Sequence, residues 1–280
     1  GNLSGSAYLF DIRTGAEIAK LLPSDGAADH YFGSSVAISG NTAIVGSFGD
    51  DDNGWSSGSA YLFDVTTGAE IAKLLPSDGT DSDYFGASVA ISGNTAVVGA
   101  SGDDDSGSLS GSAYLFDVST GAEIAKLLPS DGADNDYFGS SVAISGNTAI
   151  VGAWGNDDNG QKSGSAYLFD ASTGAELALL TASDAASDDS FGYAVAINGT
   201  KSLVGAWGDG AATGSAYLYE LCAGHVANYC IASPNSVSAT GAPISLDGTT
   251  SIGSNNMALR ADSLPPNQFG VFFCGALKQD

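Results

Sequence analysis

The sequence predicts an all-β fold: tandem four-stranded antiparallel units, about four to five of them, followed by a small β-rich C-terminal module. Three observations carry this. The stretch YFGSSVAISGNTAIVG from Tyr31 returns at Tyr84 and Tyr137 and, more loosely, from Ser190, always 53 residues on. Within each period the apolar segments are short, β-branched or aromatic, and bounded by Gly, Asn, Asp or Pro, the composition of strands between turns. The longest apolar runs are only a few residues, so no membrane span is expected. A fixed period of this size marks units that bury their faces by stacking on copies of themselves.

Taken in order, SSVAISG from Ser34 turns through Gly40-Asn41 into TAIVGS. A Gly/Asp-rich loop leads to GSAYLFD at Gly58, and after a Thr-Gly turn AEIAKLLP closes the unit. AEIAKLL is a fair helix former, but between Gly15 and Pro23 it is too short to stand as a helix. Four strands running up and down make a propeller blade or a rung of a β-solenoid. The order also sorts the loops. The short turns, Ser39-Gly40-Asn41 and Thr14-Gly15, fall at one end, and the long loops beginning at Ser24 and Gly49 at the other. Almost every Asp is therefore expected on one face.

Phe32-Gly33 is followed by Val45-Gly46-Ser47, and the pairing recurs as Phe85-Gly86 with Val98-Gly99-Ala100, Phe138-Gly139 with Val151-Gly152-Ala153, and Phe191-Gly192 with Val204-Gly205-Ala206. This pattern resembles the FG-GAP repeat of integrin α-type β-propellers, most of all its bacterial extracellular variant. The resemblance spans roughly residues 5–220 and implies a propeller-like fold. One departure matters. The integrin-type repeat carries an Asp/Asn-rich calcium loop between its FG and GAP elements, whereas this chain has only the tight Ser-Gly-Asn hairpin there. That calcium site does not carry over, and any metal must use other loops.

The expected organisation is a repeat domain over 1–220, with an N-terminal half-blade at 5–24 and repeats starting near 31, 84, 137 and 190, then a Cys-containing module over 221–280. The GSAYLFD-type strand occurs five times but the FG hairpin four. The half-blade either folds back to complete the last unit, which has no obvious fourth strand, or pairs with a neighbouring molecule through its open edge. The chain starts at Gly1 and its only methionine is Met257, as in a processed product or a fragment. Cys222, Cys230 and Cys274 all follow the repeats and suit an oxidising compartment. A Cys222–Cys230 bridge is favoured, with the other pairings open.

Lys and Arg number 8 against 32 Asp and Glu, a net charge of −24. Such a field repels nucleic acid and anionic membranes and suits an extracellular or cell-surface protein. The acidic loops offer Asp50 and Asp52, Asp103 and Asp105, and Asp157, joined by Asp25, Asp78 and Asp131 from the preceding loops. Alternate residues of an extended loop share a direction, and oxygen ligands on Gly-flanked loops are what Ca²⁺ takes. The competing reading is a solvated surface on which Asp side chains serve turns. Trp154 and Trp207 follow two GAP elements, and Tyr31, Tyr84 and Tyr137 precede FG pairs. These aromatics suit packing between blades first and stacking on sugar rings second. Catalysis is not expected: only His30 and His225 exist, and no nucleophile–base motif appears. The functional expectation is a non-enzymatic extracellular structural or adhesion protein, a homo-oligomer or filament subunit. Its alternative is a lectin-like propeller that binds glycans. Glycans or surface proteins are the expected partners.

Overall fold

A computed structural model describes residues 2–221 together with the backbone of three later strands. Strands β1 (Ala7–Phe10) and β2 (Glu17–Leu21) pair with each other. Four antiparallel four-stranded sheets follow. The first holds β3 (Val36–Ser39), β4 (Thr42–Ser47), β5 (Ser59–Asp64) and β6 (Glu70–Leu74). The second holds β7 (Phe85–Ser92), β8 (Thr95–Ala100), β9 (Ser112–Asp117) and β10 (Glu123–Leu127). The third holds β11 (Ser141–Ser145), β12 (Thr148–Ala153), β13 (Ser165–Asp170) and β14 (Glu176–Leu180). The fourth holds β15 (Phe191–Asn198), β16 (Lys201–Ala206), β17 (Ser215–Leu221) and β18 (Tyr229–Ala232), with a helical turn α1 (Asp209–Ala212) between β16 and β17. A hairpin of β19 (Ile244–Asp247) and β20 (Ala258–Ala261) lies further on. Among the described residues no helix is long and apolar enough to cross a membrane.

Two expectations are corrected. The last unit does have a fourth strand: β18 pairs with β17 from Leu218 opposite Ala232 to Leu221 opposite Tyr229. The half-blade β1–β2 therefore does not complete that sheet. Cys230 falls on β18, while Cys222 and Cys274 lie outside the described residues.

Period-two alternation gives each blade two apolar faces. On β5, Tyr61 and Phe63 point one way and Ala60 and Leu62 the other, and all four are buried. The face carrying Ile44, Ala60, Leu62 and Leu74 packs on the next blade's Phe85, Val89, Ile91, Val98, Tyr114 and Phe116. Phe85 meets the rings of Tyr114 and Phe116 edge-on at 5.5 and 5.8 Å. Phe32, Phe138 and Phe191 repeat this arrangement in their own blades. Polar links run alongside. Gly58 bridges Phe85 of the next blade in parallel, Ser77 donates from N and Oγ to the Glu123 carboxylate, and Gly93 N donates to Ser39 Oγ.

The FG and GAP glycines meet across this joint. Gly46, Gly99 and Gly152 lie directly against the carbonyls of Gly86, Gly139 and Gly192 in the following blade, with no room for a methyl group. Gly205, their equivalent in the last blade, has no described neighbour closer than 3.6 Å. Gly99→Ala is thus expected to destabilise by about 3 kcal/mol through overpacking. Gly205→Ala should stay within about 0.5 kcal/mol of wild type. Urea unfolding of the two variants checks the contrast, and equal losses would contradict this account of the joint.

Candidate functional site

At the long-loop end the loops after β2 and β4 converge on the tip of the first blade. Tyr61 and Lys73 are directly opposed on β5 and β6, so the hydroxyl and ammonium emerge on one face. Lys73 Nζ lies 2.7 Å from Asp25 Oδ2, 3.1 Å from both Asp50 oxygens and 2.7 Å from Asp52 Oδ2. Tyr61 Oη is 2.8 Å from Asp25 Oδ1 and 2.9 Å from Asp50 Oδ2, donating its one hydrogen to either. Burial works against the Lys73 charge, yet the hydrogen bonds Lys73 donates to Asp25 and Asp52 outweigh it and raise the ammonium pKa. Burial likewise opposes ionisation of Asp25, but hydrogen bonds from Lys73 and then Tyr61 hold its carboxyl below the usual range. His30 Nδ1 adds a second basic group 3.2 Å from Asp50 Oδ2.

The second blade repeats the clasp. Lys126 Nζ reaches Asp78, Asp103 and Asp105 at 2.8, 2.9 and 2.6 Å, and Tyr114 Oη lies 2.8 Å from Asp78 and 3.1 Å from Asp103. The third blade differs twice. Leu179 stands opposite Tyr167 where the lysine was, and Asn156 replaces the buried carboxylate. Ser165 Oγ donates to Asn156 Oδ1 at 3.0 Å, Asn156 Nδ2 approaches Tyr167 Oη at 3.3 Å, and Tyr167 donates to Asp131 at 2.8 Å. Where the ammonium is gone, the buried anion it would neutralise is gone as well, as desolvation requires. Acids remain around it. Burial first, then Asp131, raises the Asp158 pKa. Burial chiefly, with repulsion from Asp157 and Asp131, pushes Asp136 up to about 6 despite the Ala133 N–H bond it accepts. In the fourth blade Tyr217 Oη sits 2.8 Å from both Asp184 and Asp209, the latter on α1.

The structure thus gathers Asp25, Asp50 and Asp52 in one cluster and Asp78, Asp103 and Asp105 in another, with Asp131 in the third. The carboxylate oxygens of the first cluster lie within 4.8 Å of one another, close enough for one cation. In both complete clasps that central place belongs to a lysine. Asp157 is the counterpart of the outward Asp51 and Asp104, and Asp158 takes the position beside Asp131. Other acids serve turns: Asp51 accepts from Ser56 N, and Asp81 and Asp134 cap the preceding blade's loop at Trp55 and Ser108. Nor do all acids share one end. Asp64, Asp117 and Asp170 sit at the short turns, where Asp170, hydrogen-bonded first by the Ser172 hydroxyl, falls to about 2.

Sequence reasoning missed Lys73, Lys126 and their tyrosines. The signal was present: a lysine recurs in AEIAKLL and becomes Leu179 in the unit whose acidic loop begins with Asn. Trp154 and Trp207 come together, lining one cleft between the third and fourth blades. Trp154 also stacks on Tyr137 of its own blade at 4.6 Å and leans on Tyr193 of the next at 6.4 Å.

Stacked four-stranded meanders joined through glycine and phenylalanine define a repeat protein of the β-propeller class. More particularly, the FG-GAP repeat matches residues 16–63, 69–116, 122–169 and 175–219, and the chain belongs to that family. FG-GAP repeats are typical of extracellular proteins, and their propellers are generally non-enzymatic. Among solved structures, the computationally designed Ika8 protein is similar at TM-score 0.50 and 19% identity, over 79% of this chain and 54% of that one. The chain therefore spans about half of the Ika8 length, and the likeness concerns fold alone. The designed Ika4 protein gives TM-score 0.47 at 20% identity, over 75% of this chain and 100% of that one. No curated protein matches the chain in sequence.

Two outcomes follow from the clasps. Lys73→Leu should cost about 3 kcal/mol by stranding buried Asp50, and adding Asp50→Asn should recover most of it by recreating the third blade's solution. Urea unfolding of the single and double variants measures this. Asp136 has a folded pKa of about 6, above its ordinary 3.8, so its contribution is complete below 3.8 and is lost as pH rises through 6. Asp136→Asn should accordingly stabilise by about 1–2 kcal/mol at neutral pH, with the gain fading on acidification to about pH 4. A pH-independent difference in unfolding free energy would refute that origin.

Proposed function

We propose that this protein is a non-enzymatic extracellular structural or adhesion subunit that assembles through the faces of its terminal blades. The carrying observation is the exposure of Leu203 and Leu218, at 46% and 39%, where their counterparts Ile150 and Leu168 are fully buried by a following blade. On the half-blade β1–β2, Tyr8 and Phe10 are exposed at 46% and 55%, where Tyr61 and Phe63 are buried. Internal joints always bring a Leu/Ile face of one blade to a Tyr/Phe face of the next. Among the described residues these two faces are uncovered and of complementary kinds, so a second copy stacking head to tail makes a ring or a filament according to the rotation per step. Light scattering with electron microscopy of the native particle tests this. Concentration-dependent oligomers or filaments, reduced to monomers by Leu203→Asp with Leu218→Asp, are expected. A strict monomer at all concentrations rejects assembly.

Ca²⁺ forms part of this reading at the third blade. There Leu179 leaves Asp131 and Asp158 without an ammonium, and the Asn156 amide brings a neutral oxygen to the same cluster. A cation there would relieve the repulsion and stiffen the loops. EDTA is expected to lower the melting temperature by a few degrees, and Leu179→Lys to abolish that sensitivity. An unchanged melting temperature at low salt counts against calcium. A second reading, carbohydrate binding, is favoured by the meeting of Trp154 and Trp207 in one cleft.

A further inference from the structure

Every repeat places one residue before its FG pair and one after its GAP element, and in two blades these are stacked rings. Tyr31 lies flat on Phe48 at 4.8 Å and 9°, and Tyr137 lies flat on Trp154 at 4.6 Å and 8°. In the fourth blade the second ring is kept as Trp207 and the first is lost, because Ser190 stands where Tyr31, Tyr84 and Tyr137 stand. The backbone has not changed: φ is 53° at Ser190 against 54°, 56° and 54° at the three tyrosines. The substitution removes the ring and leaves Ser190 buried at 4% exposure, and the neighbouring Ser34, Ala87 and Ser140 become Tyr193 in this blade. A cleft of about 810 Å³ opens there, lined by Ser190, Trp207, Trp154 and Lys162 with Asp188, Asp189 and Asp209. Trp207 is 60% exposed. Tyr193 leans on Trp207 at 5.8 Å and 54°, tilted rather than stacked, and is not among the residues lining this cleft.

We infer that the gap left by Ser190 is a binding subsite for one pyranose ring of a neutral glycan, stacked on Trp207 as Tyr137 is stacked on Trp154. The inference rests on the carbohydrate-binding reading and places its site. A pyranose suits the gap because one side of the ring presents C–H groups to an indole face while its hydroxyls need acceptors at the edge. The cleft has them. Asp188 is exposed at the rim, and Asp209 presents a carboxylate held by Tyr217. Their charge, in a chain of net −24, selects against uronic or sialic acids. Lys162 is already engaged over the Trp154 ring at 5.6 Å and does not reverse that preference.

The test uses the whole chain. Cellotetraose, mannotetraose and N-acetylchitotetraose are titrated at up to millimolar concentration, following tryptophan fluorescence and calorimetric heat, with a neutral-glycan array in parallel. Ser190→Tyr is the decisive variant, because it restores the side chain that the sister repeats carry on the same backbone and should fold with an unchanged melting temperature. The expected result is binding of at least one neutral glycan, weakened tenfold or more by both Ser190→Tyr and Trp207→Ala. Binding that survives Ser190→Tyr overturns the Trp207 subsite while leaving carbohydrate binding elsewhere on the protein. A blank array and no heat with wild type overturn the carbohydrate reading itself.

Discussion

The face-to-face contact between consecutive blades is the constraint on which the rest depends. A single four-stranded meander with apolar residues on both faces has nowhere to bury them in isolation. Here each such sheet closes one face on its predecessor and the other on its successor, so strands such as β9 and β13 are buried along almost their whole length. The contact explains the repeated sentence. Phenylalanine of each FG pair supplies the ring that locks into the Tyr-x-Phe of its own blade, or Tyr217-x-Tyr219 in the fourth. The paired glycines allow backbones of adjacent blades to touch, and the serine and glutamate links hold the stack at its inner and outer margins. Near identity between units is what one recurring joint would require.

Acidity is organised within that frame. The blades bring long loops to one end, where a chain with four times as many acids as bases would repel itself. In two blades the few lysines are placed at the point of greatest need, each shared by three carboxylates and seated over the tyrosine that bonds the same acids. The third blade matches buried charge at one position: removal of lysine coincides with replacement of the aspartate beside it by asparagine, while buried Asp136 persists with its pKa pushed up to about 6. Desolvation makes an unpaired buried carboxylate costly, whereas a rim carboxylate is partly served by water.

Departures from the repeat therefore carry more functional information than the repeat itself. Identical positions describe what every joint needs. Leu179, Asn156, Ser190, Tyr193 and the helical turn α1 all fall in the third and fourth units. There they remove an ammonium and open a cleft beside an indole. A structural role for the first units and recognition at the last are compatible on one array, because each blade touches only its neighbours.

By itself the sequence determined the strand content, the 53-residue unit, the sorting of short turns and long loops, and the family, because these follow from local periodicity and turn chemistry. Alternation along an extended loop is a local property, and the pairs it groups, Asp50 with Asp52 and Asp103 with Asp105, each surround a lysine in the structure. The tertiary structure decided what fills those clusters. Lys73 and Asp25 are 48 residues apart in the chain, and only the docking of one blade's loop over the next blade's outer strand brings them to 2.7 Å. Register between strands, rather than along one, assigned β18 to the last sheet, and Asp158 rather than Asp157 is the acid bonded to Asp131. The cleft at Trp207 was legible only in part. The Tyr-to-Ser change is visible in the alignment of repeats, but that the two positions stack face to face is a fact of packing across the blade.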